Sequence, residues 1–192
     1  MKLLHYRFIL KETYPSSDKL YSTTALYLMM DSGPLSFEEE LFLLDLIQKT
    51  AASCIRFIID TDGLFHLNPV FQKLIASSPE TLANVYILSF QPQAELPLNR
   101  IEVAGPFYGD YKNLIKSLIL NLDLDLKIFI YRQPANKKFF ELLDLAAENN
   151  SDVFLLPRDH FDGRASGNQK ALKEGCLPVF GLEELIQLIS GY

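Results

Sequence analysis

Two carboxylates one residue apart, Asp60 and Asp62 in FIIDTDGLF, stand where an apolar run gives way to a glycine turn. Two carboxylates so placed could take part in phosphoryl transfer. The same aspartates also suit a plainer task, closing a turn or capping a helix. His160 and Asp162 could ligate a metal or move a proton, yet no third ligand accompanies them, and His5 and His66 stand alone. There is no Ser-His-Asp or Cys-His order, no P-loop and no G-x-G-x-x-G after the first strand. Nothing in the chain demands catalysis.

A larger group is cationic. Lys112, Arg132, Lys137, Lys138, Arg158, Arg164 and Lys170 fall near Tyr108, Tyr111 and Phe161 in segments that, on the reading below, follow strand ends. Cations interleaved with aromatic platforms are what single-stranded nucleic acid binding uses. Ordinary solvated loop charge is the plainer account, since Asp31, Asp60, Asp62, Asp110, Asp159 and Asp162 offset the same field. A net charge of −6 argues against a surface that binds nucleic acid everywhere, because that binding rests on neutralising phosphates, and leaves room for a local basic patch.

The elements that must position these groups alternate. TALYLMM is an apolar, β-prone run, and DSGPLS breaks it and supplies a helix start: Ser36 is the N-cap, Glu39 completes a capping box, and Glu38 to Glu40 favour the positive end of the helix dipole. FEEELFLLDLIQKTAAS follows with helical periodicity. CIRFIID, NVYILSF, a weaker RIEVAGPF and DLKIFIYR read as further strands. Leu67 to Ala76, with Pro69 in its first turn, Tyr111 to Leu120, and Lys137 to Glu148 read as helices. After Pro157 come a loop, a short helix from Asn168, a second apolar run Leu177 to Phe180 and a helix Leu182 to Ile189. Such alternation predicts a three-layer Rossmann-like α/β domain, a mainly parallel sheet of about six to seven strands with helices on both faces. A chain of 192 residues, 48% apolar, buries a core for one domain. Residues 1–22 read as an arm or edge strand around Tyr6 to Leu10, and 23–192 as the domain. Cys54 and Cys176 lack metal-ligand spacing and read as buried free thiols. MKLLHYRFILKE is broken by His5, Arg7 and Lys11, unlike a signal peptide, and no apolar run nears the roughly 20 residues of a membrane span, so a cytoplasmic protein is expected.

The last block, AAENNSDVFLLPRDHFDGRASGNQKALKEGCLPVFGLEELIQLISGY, resembles the end of the nucleotide-fold domain of the DprA/Smf family of DNA-processing proteins. There, a strand ending in proline leads to a loop, a segment matched here by Gly167, Asn168, Leu172 and Gly175, and a small strand. Upstream, element order matches from about Thr23. The chain departs from the family at the turns: Met30, Asp31, Ser32 and Gly33 stand where the first turn carries an arginine, Asp60 to Gly63 replace a small-residue run, of the family's Arg-Asn-Arg only Asn113 survives, and Ala135, Asn136 and Lys137 replace Ser-Gly-Ser. Glycines at such turns let phosphate approach backbone N–H groups, and arginines fix it with forked hydrogen bonds.

The resemblance implies a non-enzymatic protein that binds single-stranded DNA through loops at the carboxyl ends of the strands, with Lys112, Asn113, Arg132, Lys137, Arg158, Arg164, Asn168 and Lys170 as contacts. It implies no cofactor and no metal, and a RecA-type recombinase and a second copy of the chain as partners. The lost turns leave open a scaffold or partner-binding protein that kept the fold without the ligand. FIIDTDGLF separately resembles the first motif of the haloacid-dehalogenase-like phosphotransferases, with Leu64 in place of the usual Thr or Val; that resemblance implies Asp60 as nucleophile, Asp62 as acid and base and Mg²⁺ held between carboxylate and phosphate, a Mg²⁺-dependent phosphohydrolase as a third reading.

Overall fold

A computed structural model describes residues 6–11, 23–31, 33–60, 69–76, 79–89, 98–104, 109–159 and 161–191. The elements are β1 (Arg7–Lys11), β2 (Thr24–Met30), α1 (Phe37–Ala52), β3 (Arg56–Asp60), α2 (69–76), a 3-10 turn (Pro79–Asn84), β4 (Val85–Ser89), β5 (Asn99–Ala104), α3 (Tyr111–Leu122), β6 (Asp125–Arg132), α4 (Lys137–Asn149), β7 (Val153–Leu155), a 3-10 turn (Gly163–Ala165), α5 (Ser166–Lys173), β8 (Leu177–Pro178) and α6 (Leu182–Ser190). The Rossmann-like three-layer reading is borne out. Among the described residues the sheet has eight strands, the N-terminal edge strand β1 included, in the order β1-β5-β4-β3-β2-β6-β7-β8. Every pairing is parallel except β1 with β5, which runs antiparallel at the edge.

Local chemistry accounts for the element ends. Ser36 Oγ accepts from the Glu39 N–H and the Glu39 carboxylate accepts from the Ser36 N–H, the reciprocal capping box expected from the sequence. Asp110 and Asn136 cap α3 and α4 with side-chain oxygens that accept from the Asn113 and Phe139 N–H groups, without the reciprocal bond. The helix expected from Asn168 begins instead at Ser166, because the Gly163–Ala165 turn, capped by Asp162, feeds directly into it.

Two apolar layers form on the two sheet faces, and strand alternation decides membership. Leu26, Leu28, Phe57, Ile59, Phe129 and Tyr131 meet α1, α2 and α6 on one side. Ala25, Tyr27, Ile58, Ile128 and Ile130 meet α3, α4 and α5 on the other.

The cysteine expectation needs correction. Both thiols are free, but Cys54 is exposed and Cys176 only half-buried. Cys54 falls just after the last turn of α1, where the chain takes a left-handed φ of 57° and turns outward. Burial pushes the Cys176 thiol above its ordinary pKa, with the Glu174 carboxylate adding to the effect. Alkylation of the folded protein near pH 8 is therefore expected to modify Cys54 first and Cys176 much more slowly, since thiolate and access both set the rate. Peptide mapping after timed iodoacetamide treatment checks this; equal labelling would contradict the burial.

Among the described residues no helix is long and apolar enough to cross a membrane.

Candidate nucleic-acid interface

The chain runs outward from β2 through β3 and β4 to β5, then returns to place β6 on the other side of β2. Adjacent strands whose connections leave in opposite directions open a crevice at their carboxyl ends, the usual ligand position in such a sheet. Here β2 and β6 flank it, and beyond their ladder the Asp31 N–H still donates to the Arg132 carbonyl at 2.7 Å.

The floor of that crevice is filled from within. Arg132 ends β6 with a side chain 0% exposed. Its Nε donates to Asp31 Oδ1 at 2.6 Å, and its Nη1 to Glu39 Oε1 and Oε2 at 2.7 and 2.9 Å. Its Nη2 donates to the carbonyls of Gly33 and Pro34 at 3.1 and 3.2 Å. A guanidinium has five N–H donors in a fixed fork, and this one has an acceptor for each. Burial works against its charge, but the hydrogen bonds and charges of Asp31 and Glu39 outweigh it and raise its pKa. The arginine absent from the first turn is thus supplied by β6, and Asp31 and Glu39 take the position at the α1 N-terminus that suits an external anion.

Two more arginines lie over this floor. The Arg158 guanidinium sits 4.5 Å from the Tyr131 ring centroid, its Nε donates to the Tyr131 carbonyl at 3.4 Å, and its Nη2 is 3.5 Å from Glu39 Oε1. Burial, first of all, pushes the Tyr131 phenol up. Arg164 reaches across the β2–α1 turn: a Cβ on Gly33 would lie 3.0 Å from its Nη1 and 2.8 Å from Asp31 Oδ2. Its side chain is 49% exposed and its Nε is 3.5 Å from Asp162 Oδ1.

Asn168 does not face a ligand as expected. It is buried, its Nδ2 donates to the carbonyls of Ile130, Tyr131 and Leu156 at 3.1, 3.1 and 2.9 Å, and its Oδ1 accepts from the Gln133 N–H at 3.1 Å. Gly167 beside it donates its N–H to the Gln133 carbonyl at 2.8 Å, and a Cβ there would approach that oxygen to 2.5 Å. The Gly167-Asn168 pair therefore splices α5 onto the ends of β6 and β7. Arg132 needs the same correction, since a guanidinium with every donor used inside the protein has none left for phosphate.

The remaining sequence candidates are dispersed. Lys137 stays at the carboxyl end, donating to the Gly109 carbonyl at 3.0 Å with Glu141 at 3.3 Å. Asn113 is held by the capping Asp110. Lys112, in the first turn of α3, reaches along α4 to meet Glu148 of its last turn at 2.6 Å. Lys170 lies over the Phe140 ring, 3.7 Å from Glu174, in a groove of about 550 Å³ between α4 and β7. Sequence reasoning paired none of these cations with their carboxylates. The available signal was that Asp31 and Arg132 end the two strands flanking the crevice.

Asp62, Tyr108, His5, His66 and His160 lie outside the described residues, as does the side chain of Asp60, so the phosphotransferase reading falls outside them too. Among the described residues no three His, Cys, Asp or Glu side chains gather as a metal site.

Fold and crevice together define a Rossmann-like α/β domain of the nucleotide-fold type. Its fold is that of DNA processing protein A: the chain is similar to the protein from Helicobacter pylori, described for its unique single-stranded DNA binding mode, at a TM-score of 0.66 and 13% identity over 100% of both chains. It is similar to the Streptococcus pneumoniae DNA processing protein A at a TM-score of 0.59 and 12% identity, over 85% of this chain and 60% of that one. A structural-genomics target shares the fold at 0.54 and 16% identity, over 88% of this chain and 99% of its own. No protein-family model and no curated protein sequence matches the chain.

Proposed function

We propose that this chain is a non-enzymatic DNA-processing-type protein that holds single-stranded DNA along the rim of the carboxyl-end crevice. The observation that carries the reading is Phe161. Its side chain is 95% exposed, although the loop around it is pinned: Asp159 Oδ1 accepts from the Phe161 N–H at 3.0 Å, and the Asp159 carbonyl accepts from Asp162 and Gln169 at 3.1 and 2.9 Å. A Phe left in water on a held backbone between Arg158 and Arg164 offers a stacking face beside cations, the arrangement that binds unpaired bases without reading sequence. Likeness in fold to a protein described as binding single-stranded DNA supports the same ligand class. The rim residues are Arg158, Phe161, Arg164 and Lys137; Arg132 and Asn168 support them from beneath. The resemblance adds cytoplasmic location, a RecA-type recombinase and self-association as expectations.

Fluorescence anisotropy with a labelled poly-dT strand, at low salt and again near 0.2 M, tests this. Binding is expected at low salt, weakening as salt rises. Arg164→Ala should reduce the salt slope by about one, and Phe161→Ala should weaken binding about 5- to 100-fold with the slope intact. Absence of binding at low salt overturns the proposal. It would favour the second reading, a scaffold that kept the fold without the ligand, which the internally filled floor under Arg132 specifically supports.

A further inference from the structure

Phe180 is 77% exposed, and no packing role explains it. It stands immediately before Gly181, the N-cap of α6, where an apolar side chain often packs onto the first turn of the helix. That staple is not made: its counterpart Leu185 is wholly buried in the core, while Phe180 stays in water. The backbone is nevertheless fixed from both sides. Leu155 pairs with Pro178 in the β7–β8 ladder, the Val179 N–H donates to the Leu155 carbonyl at 2.9 Å, and the Phe180 N–H donates to Glu184 Oε2 at 2.8 Å.

The ladder also says where this ring stands. Because β7 and β8 are parallel, Phe180 leaves the sheet at the same carboxyl end as the loop carrying Arg158, Phe161 and Arg164, and neighbouring strands are separated by only about 4.8 Å. Of the acids nearest in sequence, Glu183 meets Lys49 of α1, while the Glu184 carboxylate is held at the Phe180 N–H. We infer that Phe180 is a second stacking platform on the same rim, extending the path of a bound single strand from the crevice between β2 and β6 outward over the end of β8. This rests on the reading of the rim as a single-strand site and adds a direction: the strand runs toward the β8 edge.

The test uses the whole chain and a labelled poly-dT of about 16 nucleotides, long enough to span one such site. Phe180→Ala is expected to weaken binding about 5- to 100-fold with the salt dependence unchanged, because stacking releases no counterions. Phe180→Tyr should keep wild-type affinity, Phe180→Leu should not, and the unfolding midpoints should match. Wild-type binding that falls in Phe161→Ala but not in Phe180→Ala overturns the second platform and leaves the rim reading standing. Full affinity in Phe180→Leu also overturns it, since that residue keeps bulk without a π face. No binding by the wild type overturns both.

Discussion

Arg132→Ala is expected to lower the free energy of unfolding by about 3–5 kcal/mol, the cost of breaking a buried ion pair from one side. The magnitude follows from what would be left behind. Asp31 and Glu39 lie 2.6 and 2.7 Å from the guanidinium with side chains only 11 and 13% exposed, so its removal strands two carboxylates away from water. The carbonyls of Gly33 and Pro34 lose their donors in the same step, and only the backbone bond from the Asp31 N–H to the residue-132 carbonyl still ties the β2–α1 turn to β6. Arg132→Lys should recover little, because a point charge with three donors cannot match a fork that uses five. The check is urea denaturation of wild type, both variants, and the triple Arg132→Met, Asp31→Asn, Glu39→Gln. The triple variant should regain much of the loss, since removing all the charges together avoids an unpaired one. A change under about 1 kcal/mol in Arg132→Ala would show the cluster to be solvated after all.

Asn168→Ala is expected to cost about 2–4 kcal/mol, as three buried carbonyls and one N–H lose a common partner and each group left unsatisfied costs on the order of 1–3 kcal/mol before relaxation. Asn168→Asp should be as harmful or worse. Its second oxygen would face the carbonyls of Ile130, Tyr131 and Leu156, which offer no hydrogen. Denaturant midpoints measure both, and hydrogen exchange should show the ends of β6 and β7 opening with α5 in the variants. If DNA binding were lost while stability stayed at the wild-type level, Asn168 would be a contact residue and its placement under the rim would be wrong.

These two residues separate what could be read early from what could not. Asn168 is conspicuous in the sequence because it belongs to a short local block with Gly167, but its partners Ile130, Tyr131 and Gln133 lie 35 to 38 residues away, on and just beyond β6. Its role is not legible there: in sequence, a polar side chain looks the same whether it faces water or three carbonyls. Phe161 and Phe180 show the converse limit, since periodicity cannot distinguish an apolar residue that packs from one left exposed on a fixed backbone.

The sequence by itself determined the elements and their class. The Ser36–Glu39 capping box, the apolar runs of β2 and β6, and the alternation of strands with helices act within a few residues or one period, and they forced a mostly parallel sheet covered on both faces. Only the tertiary structure decided which charges cancel. Arg132 finds Asp31 and Glu39 from 101 and 93 residues away because β6 returns to lie beside β2, and no local pattern encodes a partner set by strand order. The same return brought Arg164 over Gly33 and left Lys112 and Lys170 on helix surfaces with their own acids, so that seven nominal cations became a narrow rim.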